Sequence, residues 1–467
     1  MIQLQSGAHI HLMGICGTAM ASLAGLLKER GYHITGSDQN VYPPMSTQLA
    51  ELGIDVMQGY QAQNLDPRPD FVVVGNVISS HFPEAKALQE LKIPFSSLPE
   101  TLSDLIIEDR HCFVVAGTHG KTTTTSMLAW ACQQGGLDPG FLIGGIAKNF
   151  AKSFQNPKGD YFVIEGDEYD SAYFAKCPKF LFYKPRSVIL SSVEFDHADI
   201  YQNLDAVLKA FAGLLEIIPE TDGLLLYNNE DKNISKILHH CKSKTVSYGR
   251  ATGDWTTSSL VRGRSGLEFD VLYKGKKQER LFIPMFGDYN ITNALAVYAM
   301  IHERGIKVDL PSAFRHFLGV KRRQELIGEP SGIQVFEDFA HHPTAVQATV
   351  ESFKKREGQG RLFAIFEPRS NTSRRHFFQK EYVQALSHAD RVLISQPFVK
   401  EGTDTSDLLD VNKIVTELGG EKKAMSFQEV DQAVALVQSE AKAGDTVLIM
   451  SNGGFQGIYG KILQALS

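Results

Sequence analysis

Phe113-Val-Val-Ala-Gly-Thr-His-Gly-Lys-Thr-Thr-Thr-Thr125 is the stretch that decides how this chain folds. Phe113 to Ala116 is a short apolar run, the pattern of a strand buried on both faces of a parallel sheet. The run stops at Gly117, and Gly120-Lys121-Thr122 opens an apolar, helix-compatible segment through Trp130. Strand, glycine-bearing loop, Lys-Thr, helix is the order that cradles a nucleoside triphosphate. Glycine lets backbone N–H groups approach phosphate oxygens, and a helix N-terminus favours negative charge. The lysine reaches the β- and γ-oxygens, and the threonine hydroxyl suits Mg²⁺. Gly117, Thr118, His119, Gly120, Lys121, Thr122 and Thr123 are the expected triphosphate contacts. In the full G-x-x-x-x-G-K-[ST] pattern the first glycine falls on Val115, so this loop is a variant. A plain βα turn with a surface lysine has no use for four consecutive threonines, which are poor helix formers.

Upstream, His9 to Met13 is a second short apolar strand, followed by Gly14-Ile-Cys-Gly17-Thr18 and the apolar segment Ala21 to Leu27. A further strand runs from Gly31 to Ser37 and ends in Asp38, the outline of the first βαβ unit of a dinucleotide fold. The third glycine of G-x-G-x-x-G is missing, which disfavours NAD and an oxidoreductase. A glycine turn against a helix N-terminus suits the diphosphate of a UDP-sugar equally well. Gly14, Gly17, Thr18 and Asp38 are candidates for it, with Asn76 and Ser79 after the strand Asp70 to Gly75.

Downstream, the strand Tyr161 to Ile164 is capped by Glu165-Gly-Asp167-Glu168-Tyr-Asp170, four acids in six residues. Carboxylates are costly to gather unless something positive sits among them. Ser187 to Leu190 runs into Glu194-Phe-Asp196-His197-Ala-Asp199 in the same way. Thr122, Glu165 and His197 are the candidate metal ligands beside the phosphate loop. Residues 245–285 read as β-rich, and Phe286-Gly-Asp-Tyr-Asn290-Ile-Thr-Asn293 starts a helix with two asparagines three apart on one face. Such amides can donate and accept to an adenine edge at once.

The final third alternates strand and helix again. Gln334 to Asp338 leads to His341-His342-Pro-Thr344, Leu362 to Phe366 leads to Glu367-Pro-Arg369-Ser370-Asn371, and Thr446 to Met450 leads to Ser451-Asn-Gly-Gly454. Each apolar strand ends in polar or glycine-bearing residues, the signature of a doubly wound α/β domain. The 467 residues fit three domains at the usual domain size, with boundaries expected near Ile107 and Gly319. Composition is that of an ordinary globular enzyme, 43% hydrophobic and 21% charged. A net charge of −6 and a pI near 6.2 leave no basic footprint for nucleic acid or an anionic membrane. Five scattered cysteines without a C-x-x-C pair, and an N-terminus without a signal-peptide pattern, fit a reduced, cytoplasmic protein. No apolar run is long enough to span a bilayer.

Taken together, these motifs resemble the Mur ligase family along nearly the whole chain. The resemblance rests on Gly14-Ile-Cys-Gly-Thr-Ala-Met20, Ala116-Gly-Thr-His-Gly-Lys-Thr-Thr-Thr124, Glu165-Gly-Asp-Glu168, Glu194-Phe-Asp-His197, Gly287-x-x-Asn290-x-x-Asn293, Lys321-Arg-Arg323 and Asp338-Phe-Ala-His-His-Pro-Thr344. Thr-His-Gly-Lys-Thr with His-His-Pro-Thr is similar to the branch that takes UDP-N-acetylmuramate itself. Glu367-Pro-Arg-Ser-Asn-Thr372 and Met450-Ser-Asn-Gly-Gly-Phe455 resemble members that add the recycled tripeptide L-alanyl-γ-D-glutamyl-meso-diaminopimelate. Members that add L-alanine typically carry other segments at those two places.

The resemblance implies an α/β fold of three domains. Residues 1–107 form a Rossmann-like UDP-sugar domain, 108–318 a central P-loop ATP domain with a parallel sheet and a β-rich part, and 319–467 a C-terminal α/β domain. It implies ATP-dependent amide formation through an acyl phosphate on the muramyl carboxylate. Lys121 sits on the phosphates, Thr122 and Glu165 on one Mg²⁺, and His197 on a second. Asn290 and Asn293 read adenine, Arg323 and Asp338 hold phosphate and ribose, and Arg369, Ser370, Asn371 and His341 or His342 meet the peptide. Two departures accompany it: Tyr289 replaces the histidine of many relatives, and Ala212 stands where several carry a carbamylated lysine. The alternatives are the L-alanine-adding ligase and, in another class, a P-loop regulatory switch.

Overall fold

The computed structural model describes residues 2–41, 45–195, 200–263, 265–356, 358, 360–370, 372–397 and 407–467. It packs as two compact units, one built from Met1–Glu194, Leu204–Trp255 and Ala296–Ala313, the other chiefly from Thr256–Leu295 and Phe314–Ser467.

In the first unit the N-terminal apolar runs become five parallel strands, β1 (His9–Met13), β2 (His33–Asp38), β3 (Val56–Gln58), β4 (Phe71–Val74) and β5 (Phe95–Ser97). Their order is β3-β2-β1-β4-β5. The chain therefore winds outward in both directions from β1, and the crevice between the carboxyl ends of β1 and β4 is where such sheets bind ligands. The turn Gly14–Gly17 leaves β1 there, and the loop carrying Asn76 and Ser79 leaves β4.

The same unit holds β6 (His111–Ala116), β7 (Gly140–Ala147), β8 (Lys152–Gln155), β9 (Tyr161–Gly166), the small hairpin β10 (Asp170–Ala172) and β11 (Ala175–Pro178), β12 (Ser187–Leu190), β13 (Leu224–Asn228) and β14 (Lys244–Tyr248). The strand order is β14-β13-β12-β6-β9-β7-β8. Only the β7–β8 pair in this run is antiparallel. Strand β6 begins two residues earlier than its apolar run, because His111 and Cys112 pair with Tyr161 and Phe162. The core strands are buried on both faces, so they read as continuous apolar runs instead of alternating ones. With β12 and β9 on either side of β6, three loops emerge together at one carboxyl edge.

β15 (Trp255–Arg262) follows β14, and β16 (Leu267–Tyr273) pairs antiparallel with β17 (Lys276–Ile283), the expected β-rich region. The helix Asp288–Glu303 starts where the asparagine pair predicts.

In the second unit β18 (Glu325–Gly328), β19 (Gln334–Asp338), β20 (Leu362–Phe366), β21 (Arg391–Ser395), β22 (Ala424–Phe427) and β23 (Thr446–Met450) make a sheet of order β18-β19-β23-β20-β21-β22, parallel apart from β18. Alternate residues of β20 feed two cores. Leu362, Ala364 and Phe366 face the helices with Tyr382 and Val350, and Phe363 and Ile365 face Val437 and Ile462. No helix among the described residues is long and apolar enough to cross a membrane.

Candidate active site

The phosphate loop is held from β12's side. Gly117 adopts φ +129°, and a Cβ there would lie 2.3 Å from Ser191 Oγ, so only glycine lets the loop pass. Thr118 N donates to Ser192 O at 2.9 Å, His119 N to Ser192 Oγ at 3.0 Å, and Ser191 Oγ to His119 O at 2.6 Å. His119 Nε2 also lies 3.2 Å from Glu194 Oε2, and Glu194 N donates to Thr118 Oγ1 at 2.8 Å. Gly120, in the left-handed region, caps the helix Lys121–Gln134, whose first turn carries Lys121, Thr122 and Thr123, all buried. That N-terminus of fourteen residues presents aligned N–H dipoles to the loop.

Lys121 Nζ donates to Gly117 O at 2.7 Å and to Glu168 Oε2 at 3.0 Å. Burial alone would lower the ammonium's pKa, but Glu168, Asp167 and Glu165 outweigh it and hold it above the ordinary lysine value. Thr122 Oγ1 donates to Glu165 Oε2 at 3.1 Å, and Glu165 Oε1 accepts from Gly144 N at 2.5 Å. Thr122 and Glu165 thus bring a hydroxyl and a carboxylate together beside the phosphate loop, an all-oxygen donor set of the kind Mg²⁺ takes. Lys179 Nζ lies 3.4 Å from Asp167 Oδ2 and Lys176 Nζ 3.4 Å from Asp170 Oδ2, so each of the four acids in this turn has a polar partner. His197, the other expected metal ligand, lies outside the described residues.

At the N-terminal sheet Asp38 is buried and acts on the turn. Its Oδ2 accepts from Cys16 N at 2.9 Å and its Oδ1 from Asn40 N at 2.9 Å. Gly14 N and Ile15 N donate to Ser37 O, at 2.8 and 3.1 Å. Gly17 and Thr18 stand exposed at the start of the helix Thr18–Glu29, Asn76 is exposed, and Ser79 half-buried. Beneath the turn lies a polar group that sequence patterning does not reveal. Glu84 and His11, both fully buried, pair at 2.7 Å, and Glu84 also accepts from Ser37 Oγ and Asn64 Nδ2.

In the second unit Asp338 ends β19 and accepts from Gln324 N and Ala340 N, both at 2.8 Å. Burial raises its pKa against the pull of Arg323. Arg323 lies over the Phe339 ring, 4.7 Å from its centroid. Asn290 donates to Phe286 O at 2.7 Å and accepts from Asn293 at 3.1 Å, so the two amides brace the helix start as well as each other. The Tyr289 hydroxyl accepts from Gln324 Nε2 at 2.6 Å. Gln324, which also reaches Ser352 and Phe286 N, is a hub with no motif to announce it.

The peptide candidates divide. Arg369 Nη1 lies 3.4 Å from Glu367 Oε1, with 37% of its side chain exposed. Ser370 closes its own turn on Ser373 through Oγ–Oγ and N–Oγ contacts of 2.9 Å. His342 is buried edge-on against Phe378, whereas the half-buried His341 contacts Phe339 O through Nδ1. Asn371 lies outside the described residues.

Three family models match in succession, the Mur ligase family catalytic domain over residues 9–110, the Mur ligase middle domain over 115–301, and the glutamate ligase domain over 322–453. The UDP-N-acetylmuramate–L-alanyl-γ-D-glutamyl-meso-2,6-diaminoheptandioate ligase of Escherichia coli K12 is 40% identical over 461 residues, covering 98% of both chains. The chain belongs to the Mur ligase family. A second Mur ligase of the same description, from Haemophilus influenzae, is 39% identical over 98% of this chain and 99% of its own. Among solved Mur ligases, the murein peptide ligase of Psychrobacter arcticus 273-4 matches with TM-score 0.72 and 36% identity, over 98% of this chain and 99% of that one. The UDP-N-acetylmuramate–alanine ligase of Thermotoga maritima shares the fold with TM-score 0.80 at 23% identity, over 98% of each chain. Mur ligase membership makes this protein a carbon–nitrogen ligase of α/β fold, as expected.

Proposed function

We propose that this Mur ligase joins UDP-N-acetylmuramate to the recycled tripeptide L-alanyl-γ-D-glutamyl-meso-diaminopimelate, converting ATP to ADP and phosphate. The observation that carries the proposal is the end-to-end match to tripeptide ligases at 40 and 39% identity, against 31% for an L-alanine ligase from Dictyoglomus turgidum. The muramyl carboxylate attacks the γ-phosphorus of ATP, ADP leaves, and the acyl phosphate forms. The tripeptide's free amine then attacks the acyl carbon, and phosphate departs as the amide closes. Such chemistry is mostly positioning and neutralisation of charge.

Residues 1–107 hold the UDP-sugar, with Gly14, Gly17 and Thr18 at the diphosphate, Asn76 and Ser79 as polar contacts, and Asp38 fixing the turn. Residues 108–318 hold ATP: the Gly117–Gly120 backbone, Lys121, Thr122 and Thr123 take the phosphates. Asn290 and Asn293 are assigned to adenine. In residues 319–467, Arg323 is assigned to phosphate, Asp338 to ribose, and Arg369, Ser370, Asn371 and His341 to the peptide. His342, packed on Phe378, is the alternative to His341 at the peptide. Mg²⁺ is the fitting cation, one ion to be held by Thr122 and Glu165 and a second by His197, and when bound it would neutralise phosphate charge so that a carboxylate can approach.

The test is product identity. With ATP, UDP-N-acetylmuramate and tripeptide, mass spectrometry is expected to find the amide-linked UDP-sugar tripeptide and equimolar ADP. ADP release without amide product would overturn the proposal.

A further inference from the structure

We propose that Gly453 is a specificity-determining residue for the peptide acceptor, because its missing Cβ fixes where Arg369 presents its guanidinium. The inference rests on the proposed role of Arg369 toward a peptide carboxylate.

β20 and β23 are parallel neighbours, with Phe366 beside Met450, so their following loops leave the sheet together. Glu367 N donates to Met450 O at 3.0 Å. Ser451 Oγ donates to Glu367 Oε2 and accepts from Gly453 N at 2.8 Å. The Glu367 carboxylate therefore ties the Ser451–Gly454 loop on one oxygen and Arg369 on the other. Arg369 lies down across the glycine: a Cβ on residue 453 would stand 2.4 Å from its Cδ, 2.5 Å from Nε and 2.9 Å from Cζ.

Hydrogen bonds tie the glycine's backbone in place on both its N–H and its carbonyl. Arg322, itself bonded to Glu337 at 2.5 Å, donates through Nη2 to Gly453 O at 2.6 Å and to Ser451 O at 3.1 Å. An added methyl must therefore push the arginine side chain away. That side chain is flexible and its displacement costs the fold little, but a bidentate match to a carboxylate depends on the position and orientation of the guanidinium. Gly453 is free of left-handed φ, so alanine is allowed by its backbone. Gly454 supplies a matched control, since a Cβ there meets nothing within 4 Å and its φ is −82°.

The experiment uses the full chain and varies tripeptide, UDP-N-acetylmuramate and ATP in turn for the parent, Gly453→Ala, Gly454→Ala, Arg369→Ala and the Arg369→Ala/Gly453→Ala pair. Gly453→Ala is expected to raise the tripeptide KM about tenfold, the effect of losing a partly hydrated charge pair with good geometry, with the other two KM values unchanged. Gly454→Ala is expected to match the parent, and the double variant to match Arg369→Ala, because Gly453 acts through Arg369. A parental tripeptide KM in Gly453→Ala beside a raised one in Arg369→Ala overturns this inference and leaves the role of Arg369 standing. A parental KM in Arg369→Ala overturns that role and the inference with it. Additive effects in the double variant, or a rise in all three KM values for Gly453→Ala, overturn the coupling to Arg369.

Discussion

Lys121 Nζ lies 3.0 Å from Glu168 Oε2, with only 10% and 3% of the two side chains exposed. The phosphate-loop lysine is thus held at its post by a buried acid as well as by Gly117 O. This pairing changes how its removal must be tested. Lys121→Ala strands a buried carboxylate, which costs about 3–5 kcal/mol of stability by itself. We expect Lys121→Ala to abolish ADP formation but also to lower Tm. The pair Lys121→Met/Glu168→Gln removes both charges, so it should restore Tm and remain inactive. Recovery of turnover along with Tm would remove Lys121 from the reaction.

The same pair sets a pH dependence. A raised lysine pKa means that the ion pair's stabilisation is complete below the unfolded value of about 10.4 and is lost as pH rises through the folded one. Burial opposes the charge, and Glu168 is the largest influence sustaining it. In Glu168→Gln the alkaline limb of kcat/KM for ATP should therefore move to lower pH. An unmoved limb would mean that Lys121 does not titrate there.

Glu165 accepts from the Thr122 hydroxyl at 3.1 Å, and the two are the proposed cation ligands. Glu165→Ala should raise the Mg²⁺ concentration for half-maximal activity at least severalfold, with ATP in fixed excess. His197→Ala is expected to do the same. If both variants titrate like the parent, other residues carry the metal.

Asp38 braces the turn assigned to the UDP-sugar, with both its oxygens taken by backbone N–H groups. Asp38→Ala should raise the KM for UDP-N-acetylmuramate about tenfold, the scale of one or two charge-assisted bonds lost, and leave the KM for ATP alone. Calorimetry should show UDP-N-acetylmuramate binding and no NADH binding to the full chain. An equal rise in both KM values would point to a general loosening of the first unit.

Much of the fold is legible in the sequence because parallel strands buried on both faces write uninterrupted apolar runs, and the loop after each run lies at the ligand edge. Ser187–Leu190, Gln334–Asp338, Leu362–Phe366 and Thr446–Met450 fall where their apolar runs stand. Thr122 and Glu165 are legible because a phosphate loop and a strand-end acid are local patterns. The hidden contacts depend on which strands lie side by side. Glu168 is visible as one acid in a cluster, but its grip on Lys121 needs β9 beside β6. Gln324 sits in no motif, and its links to Tyr289, Ser352 and Asp338 arise from chain reversals distant in sequence. The contact of Gly453 with Arg369 comes only from the adjacency of β20 and β23.

The acceptor is decided by the ratio of kcat/KM for tripeptide to that for L-alanine, measured by ADP release with UDP-N-acetylmuramate and ATP saturating. A tripeptide carries carboxylates that L-alanine lacks, and fixed cations discriminate such ligands by about tenfold for every 1.4 kcal/mol. We expect tripeptide to be preferred by at least about a hundredfold, two such steps. Faster use of L-alanine than of tripeptide would instead make this chain an L-alanine-adding ligase.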